Sequence, residues 1–117
     1  MKKSFLILVM LCSLLSCEAI FVEDISDRTV VLLAPINTTE VVNGSIVFTW
    51  DAIEDVDAYQ IQIATPNFQK ASQVLLDSIS IKTFFTKELA AGSYEWRVKA
   101  SNSDYATNYS TNGFIVN

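Results

Sequence analysis

The chain has 117 residues, half of them apolar, with 8 basic and 13 acidic side chains, two cysteines and no histidine. A net charge of −5 argues against a nucleic-acid partner, whose phosphates attract basic surfaces. Without histidine the commonest general base, the usual zinc ligands and the Ser-His and Cys-His nucleophile pairs are all missing.

Met1-Lys2-Lys3 is a short cationic start, and Ser4 to Ser16 is almost wholly apolar up to Leu14-Leu15-Ser16-Cys17. This arrangement resembles a bacterial lipoprotein signal. The resemblance implies a signal peptide over residues 1–16, cleavage before Cys17, and acylation of Cys17 at its sulfur and its new amino group. The bilayer is then one expected partner, through lipidated Cys17. An ordinary secretory signal is the rival reading. An uncleaved anchor is the third, although the apolar run is shorter than the roughly 20 residues that span a bilayer as a helix.

Cys12 lies inside the segment expected to be removed, so a mature chain with Cys17 as a thioether has no disulfide to staple it. Removal also takes Lys2 and Lys3 and no acid, moving the net charge from −5 to −7. Residues 17–29 read as the lipidated cysteine and an acidic tether. Glu18 to Arg28, fully extended, would reach roughly 36–40 Å. Acidic residues so soon after such a cysteine resemble export signals of surface-displayed lipoproteins. A solvated spacer is the alternative. The outer membrane or cell surface is thus favoured over the inner membrane.

Residues 30–117 have the length of one domain. From Val30 onward the apolar period is two, the signature of half-buried strands. Ile46, Phe48 and Trp50 share one face, as do Tyr59, Ile61 and Ile63. Val74-Leu75-Leu76 and Thr83-Phe84-Phe85 read as shorter strands. Tyr94 to Ala100 alternates apolar with charged residues, and Phe114 and Val116 close the pattern. Turn signals at Asn43-Gly44-Ser45, Asp51 to Asp57, Thr65-Pro66-Asn67 and Ala91-Gly92-Ser93 separate these runs, which argues for an antiparallel sandwich. Asn67 to Gln73 is expected to form one helical turn at most.

Val30-Val31-Leu32-Leu33-Ala34-Pro35, Phe48-Thr49-Trp50 and Ala58 to Ala64 resemble the first half of a bacterial fibronectin type III domain. Leu89 to Ala100, with Asn102, resembles its second half. The resemblance implies an all-β, antiparallel seven-stranded β-sandwich with sheets of three and four strands. It also implies that Trp50 fills the space between the sheets, that Leu89 and Tyr94 fix the corner entering the sixth strand, and that Gly92 permits the turn there.

Candidate chemistry is sparse. Asp51, Glu54, Asp55 and Asp57 form the densest acidic cluster, a weak calcium candidate without the ligand order or the glycine of an EF-hand loop. Paired catalytic carboxylates would need an enclosed cleft, which a small sandwich does not build in. Gly44, Gly92 and Gly113 are far apart, so no phosphate loop forms and no cofactor is expected. Asn37-Thr38-Thr39, Asn43-Gly44-Ser45 and Asn108-Tyr109-Ser110 match the N-glycosylation pattern, but read as turn chemistry. Asp77-Ser78-Ile79 resembles a bacterial O-glycosylation acceptor, at Ser78. Tyr105 and Phe68, in loops, are the candidates for ligand contact, whereas Tyr109 is expected to pack where the last strand begins. The outward stripe Gln60, Gln62, Glu95, Arg97 and Lys99 reads either as a solvated face or as a partner surface.

The final strand ends near Asn117, so no effector domain is expected to follow. These features describe a non-catalytic interaction module at the bacterial envelope, contacting another envelope protein. The alternative is a glycan-binding accessory to polysaccharide capture, using Tyr105 and Phe68.

Overall fold

A computed structural model describes residues 21–117. The signal over residues 1–16 and the acylation of Cys17 lie outside the described residues. Eight strands follow one another: β1 (Leu32–Ala34), β2 (Thr39–Val41), β3 (Gly44–Trp50), β4 (Ala58–Thr65), β5 (Gln73–Ser80), β6 (Phe84–Leu89), β7 (Gly92–Ser101) and β8 (Ser110–Val116). They form a three-stranded sheet ordered β1-β3-β6 and a five-stranded sheet ordered β2-β8-β7-β4-β5. The architecture is the expected all-β sandwich.

The alternation read from the sequence sets which side chains fill it. Ile46, Phe48 and Trp50 of β3 meet Tyr59, Ile61 and Ile63 of β4, Tyr94, Trp96 and Val98 of β7, and Phe114 of β8 in one buried cluster. Phe48 sets its ring edge-on to Trp96 at 5.1 Å and to Phe114 at 5.8 Å. Such edge contacts add to the burial itself. Trp96 is completely buried and its indole N–H donates to Pro35 O at 3.2 Å, whereas the equally central indole N–H of Trp50 has no acceptor among the described residues. At the entrance to β7 the Tyr94 hydroxyl donates to Ala90 O at 2.7 Å and its ring stacks on Phe114 at 5.6 Å, which fixes the expected corner. Tyr94→Phe keeps the stack and loses the bond. Its urea midpoint should fall by an amount equivalent to about 1 kcal/mol, with no change in slope.

The strand count and pairing differ from the expectation. The described residues form eight strands rather than seven, the larger sheet has five rather than four, and the β2–β8 pair is parallel. The cause lies at Pro35, which has no N–H to continue the β1 ladder. The chain there leaves β3 and crosses to the other sheet. Thr38 adopts φ 63°, its N–H donates to Gly113 O at 2.7 Å, and the Asn37 side chain accepts the Gly113 N–H at 2.8 Å. These contacts seat β2 alongside β8, running the same way, with Thr39 opposite Phe114 and Val41 opposite Val116. The N-terminal segment therefore counts as two strands, one in each sheet.

Packing also reaches back before Val30. Ile25 is fully buried, on a turn closed by the Arg28 N–H to Ile25 O bond of 3.0 Å and by Asp24, which accepts from the Ser26 N–H and hydroxyl. Those two bonds also hold the Asp24 carboxyl below its ordinary pKa. The Asn102 side-chain amide donates to Glu23 O at 2.8 Å and to Asp55 O at 3.2 Å, which ties this segment to two loops.

Candidate functional site

The outward face of β7 carries the most organised polar chemistry among the described residues. Glu95, Arg97 and Lys99 point away from the core because Tyr94, Trp96, Val98 and Ala100 occupy the alternate inward positions. Arg97 lies opposite Gln62 of β4 and Thr111 of β8, and Gln62 lies opposite Asp77 of β5. The Arg97 Nε–H donates to Gln62 Oε1 at 2.8 Å. Asp77 accepts from the Gln60 amide at 2.8 Å. The amides of Gln60 and then Gln62 hold the Asp77 carboxyl below its ordinary pKa, and the positive charges of Arg97 and Lys99 add to that.

Two aromatic rings complete the arrangement. The β4–β5 loop folds back over the sheet so that the Phe68 N–H donates to Glu95 Oε1 at 2.9 Å. An Asn67 side chain capping the Lys70 N–H at 2.8 Å shapes that turn. The Phe68 ring then lies 4.0 Å from the Arg97 guanidinium carbon, and the Tyr109 ring lies 4.2 Å from it. Lys99 Nζ is 5.0 Å from the same Tyr109 ring. A cation held over aromatic faces is attracted by the ring quadrupole, and a planar guanidinium also stacks on them. Phe68, Arg97, Lys99 and Tyr109 thus form a cation–aromatic ladder from three separate chain segments. A shallow depression of about 370 Å³, whose lining includes Pro66, Asn67, Glu95 and Gly113, sits beside it.

The other candidates are placed apart. Tyr105 is 38% exposed in the β7–β8 loop, whose backbone is shaped by Asn102 Oδ1 accepting the N–H groups of Asp104 and Tyr105. That loop follows the end of β7 beside the start of β4, whereas Phe68 follows the end of β4, so Tyr105 and Phe68 lie at opposite ends of the sandwich. A sugar ring stacking on both at once has no common platform. Tyr109 does sit just before the last strand, but over Arg97 and Lys99.

The acidic cluster does not gather as a metal site. No group of three or more candidate ligands converges among the described residues. Arg28 pairs with one of these acids instead, 3.5 Å from Asp55 Oδ2, and donates to the Glu54 backbone carbonyl. The Asp51 and Asp57 N–H groups donate to Val31 O and Ser101 O, so their backbone is spent on tying loops to the sheets. Ser78 lies opposite inward-facing Ile61 and is half-buried on the inner side of β5, a constrained position for a bulky glycan.

Comparison with solved structures places the fold. A fibronectin(III)-like module of Clostridium thermocellum CbhA is similar at TM-score 0.54 and 18% identity, covering 75% of this chain and 95% of that one. The fold is fibronectin type III-like. The FN3tt domain is similar at TM-score 0.53 and 14% identity over 77% of this chain and 98% of its own. A fibronectin type III domain derived from human KIAA0970 protein is similar at 0.52 and 13%, over 74% and 72%. No family model matches the sequence. No curated protein matches it either. At these identities the likeness extends to the fold alone, and the ladder is a feature of this chain's own residues on the fibronectin type III-like body.

Proposed function

We propose that the chain is a lipid-anchored, non-catalytic binding module of a bacterial cell envelope, contacting another envelope protein through the outer face of its five-stranded sheet. The observation that carries this reading is the pre-ordered ladder of Phe68, Arg97 and Tyr109. Arginine and tyrosine are enriched among residues that dominate protein interfaces. Here Arg97 sits on a sheet position and is held by Gln62, Glu95 ties down the Phe68 backbone, and Tyr109 lies against Arg97 and Lys99, so little side-chain freedom remains to be lost on association. The anchoring half of the proposal rests on Cys17 and the apolar run before it. A fibronectin type III-like fold is consistent with interaction duty and hosts its function in grafted surfaces.

The test places a photoactivatable residue at Thr111, beside Arg97 on this face, or at Thr86, on the outer face of the smaller sheet. In native envelopes a discrete protein adduct should form from position 111 and not from position 86. Cys17→Ser should abolish palmitate labelling, release the protein from the membrane fraction and remove the adduct. Equal adducts from both faces would overturn the binding surface. Membrane attachment that survives Cys17→Ser would overturn the anchor.

A further inference from the structure

The sandwich has four strand edges, and three are guarded. β1 and β2 have three residues each, and β1 runs straight into Pro35. β6 carries Lys87 and Glu88. β5 is different. It has eight residues, pairs with β4 on one side, and has no strand on its other side among the described residues. It contains neither lysine nor proline, the usual protections of an exposed edge, and Asp77 is its one charge. Val74 is 55% exposed, Ile79 67%, and Ile81, just past its end, 83%. A register shift near Val74 bends the start of the edge, while Leu76 to Ser80 pairs regularly with Ile63 to Tyr59.

We infer that the Leu76–Ser80 edge of β5 receives an extended segment of a partner protein as an added strand, with a basic side chain beside Asp77 and an apolar one beside Ile79. Backbone hydrogen bonds supply the affinity in this mode of recognition, and alternate side chains supply the selectivity. Asp77 and Ile79 both point to the outer face, opposite Gln62 and Gln60, so the added strand would extend the surface that carries the ladder. Asp77 is held by the glutamine amides and feels Arg97 and Lys99 only at a distance, with no cation within ion-pair distance among the described residues, which leaves room for a basic side chain directly beside it. A second copy does not supply the match. Its own β5 holds no lysine or arginine, so self-pairing brings only aspartate, glutamine, serine or an apolar residue to Asp77, and none of these carries a positive charge.

This inference deepens the binding reading and rests on it, and the two fail differently. The probe is a phage-displayed library of random linear peptides, selected on the purified full-length protein. Selected peptides should alternate β-branched residues with lysine or arginine and should slow amide exchange along Leu76–Ile81. N-methylation at alternate peptide positions should weaken binding by about tenfold or more. Ile79→Lys should weaken it similarly without lowering the melting temperature, and Asp77→Lys should shift selection toward acidic peptides, which keeps the test decisive if Ile79→Lys folds poorly. An empty selection, peptides indifferent to N-methylation and to both variants, or a dimer abolished by Ile79→Lys in place of peptide capture would each overturn the inference. An adduct from position 111 alongside any of these would leave the binding reading standing.

Discussion

Trp96→Ala should cost about 3–5 kcal/mol, the range for removing a large buried aromatic. Small domains are stable by only about 5–15 kcal/mol, so a large share of the folded population would be lost near the upper end of physiological temperature. The reason is position. Trp96 is completely buried, lies 5.1 Å from Phe48 and 6.4 Å from Trp50, and bonds Pro35 O, so its loss opens a cavity where both sheets meet. Urea unfolding followed by circular dichroism reads the effect as a lowered midpoint. A pair of milder variants separates cavity from hydrogen bond. Trp96→Phe gives up a made bond, whereas Trp50→Phe removes a buried N–H that has no acceptor among the described residues. Trp50→Phe should therefore be the better tolerated, by about 1–2 kcal/mol. Equal losses would show that both indoles act only by volume.

Ile25→Ala should destabilise the domain by about 2–5 kcal/mol, although Ile25 precedes the first strand and lies among acidic residues. Ile81→Ala is the matched control. At 83% exposure it should shift stability by no more than about 0.5 kcal/mol. Thermal melts of both variants decide the point. A neutral Ile25→Ala would mean that the stretch from Glu23 to Arg28 rests on the body without supporting it. The expected loss would mean that the body proper begins near residue 23, and that a chain starting at Val30 is a poor substitute for the protein.

The inward faces of β3, β4 and β7 were legible in the sequence because burial on one side only imposes a period of two. Tyr94, Trp96, Val98 and Ala100 alternate with Glu95, Arg97 and Lys99 without exception. The length of β5 was not legible. Asp77, Ser78 and Ser80 are weak strand formers, and the register shift beside Leu75 breaks the alternation where it would be sought. β2 is Thr39-Glu40-Val41, too short to display any period, and its parallel partner lies far along the chain. The acidic loop suggested a cation because carboxylates cluster in sequence. Arg28, from a segment read as tether, is what lies beside Glu54 and Asp55.

The ladder was half legible. Arg97, Gln62 and Lys99 could be assigned to an outward stripe from periodicity. Which rings covered them depended on how two loops folded back, and that is decided by single bonds such as the Phe68 N–H to Glu95. The usable signal was an aromatic residue shortly after Pro66 and another just before the last strand. Loop aromatics in such positions can turn inward across a sheet face as readily as outward to a ligand.

The crossover at Pro35 has a mechanical consequence. Tension entering ahead of β2 and leaving after β8 would act along two parallel neighbours in opposite directions. The Thr39–Val41 rungs would then bear load side by side, together with the Asn43 N–H and side-chain bonds to Asn117 O and the Asn117 N–H bond to Val41 O. Bonds loaded in shear must yield nearly together, whereas bonds peeled from one end yield in turn. The eighth strand that the sequence did not announce is thus a brake against stretching.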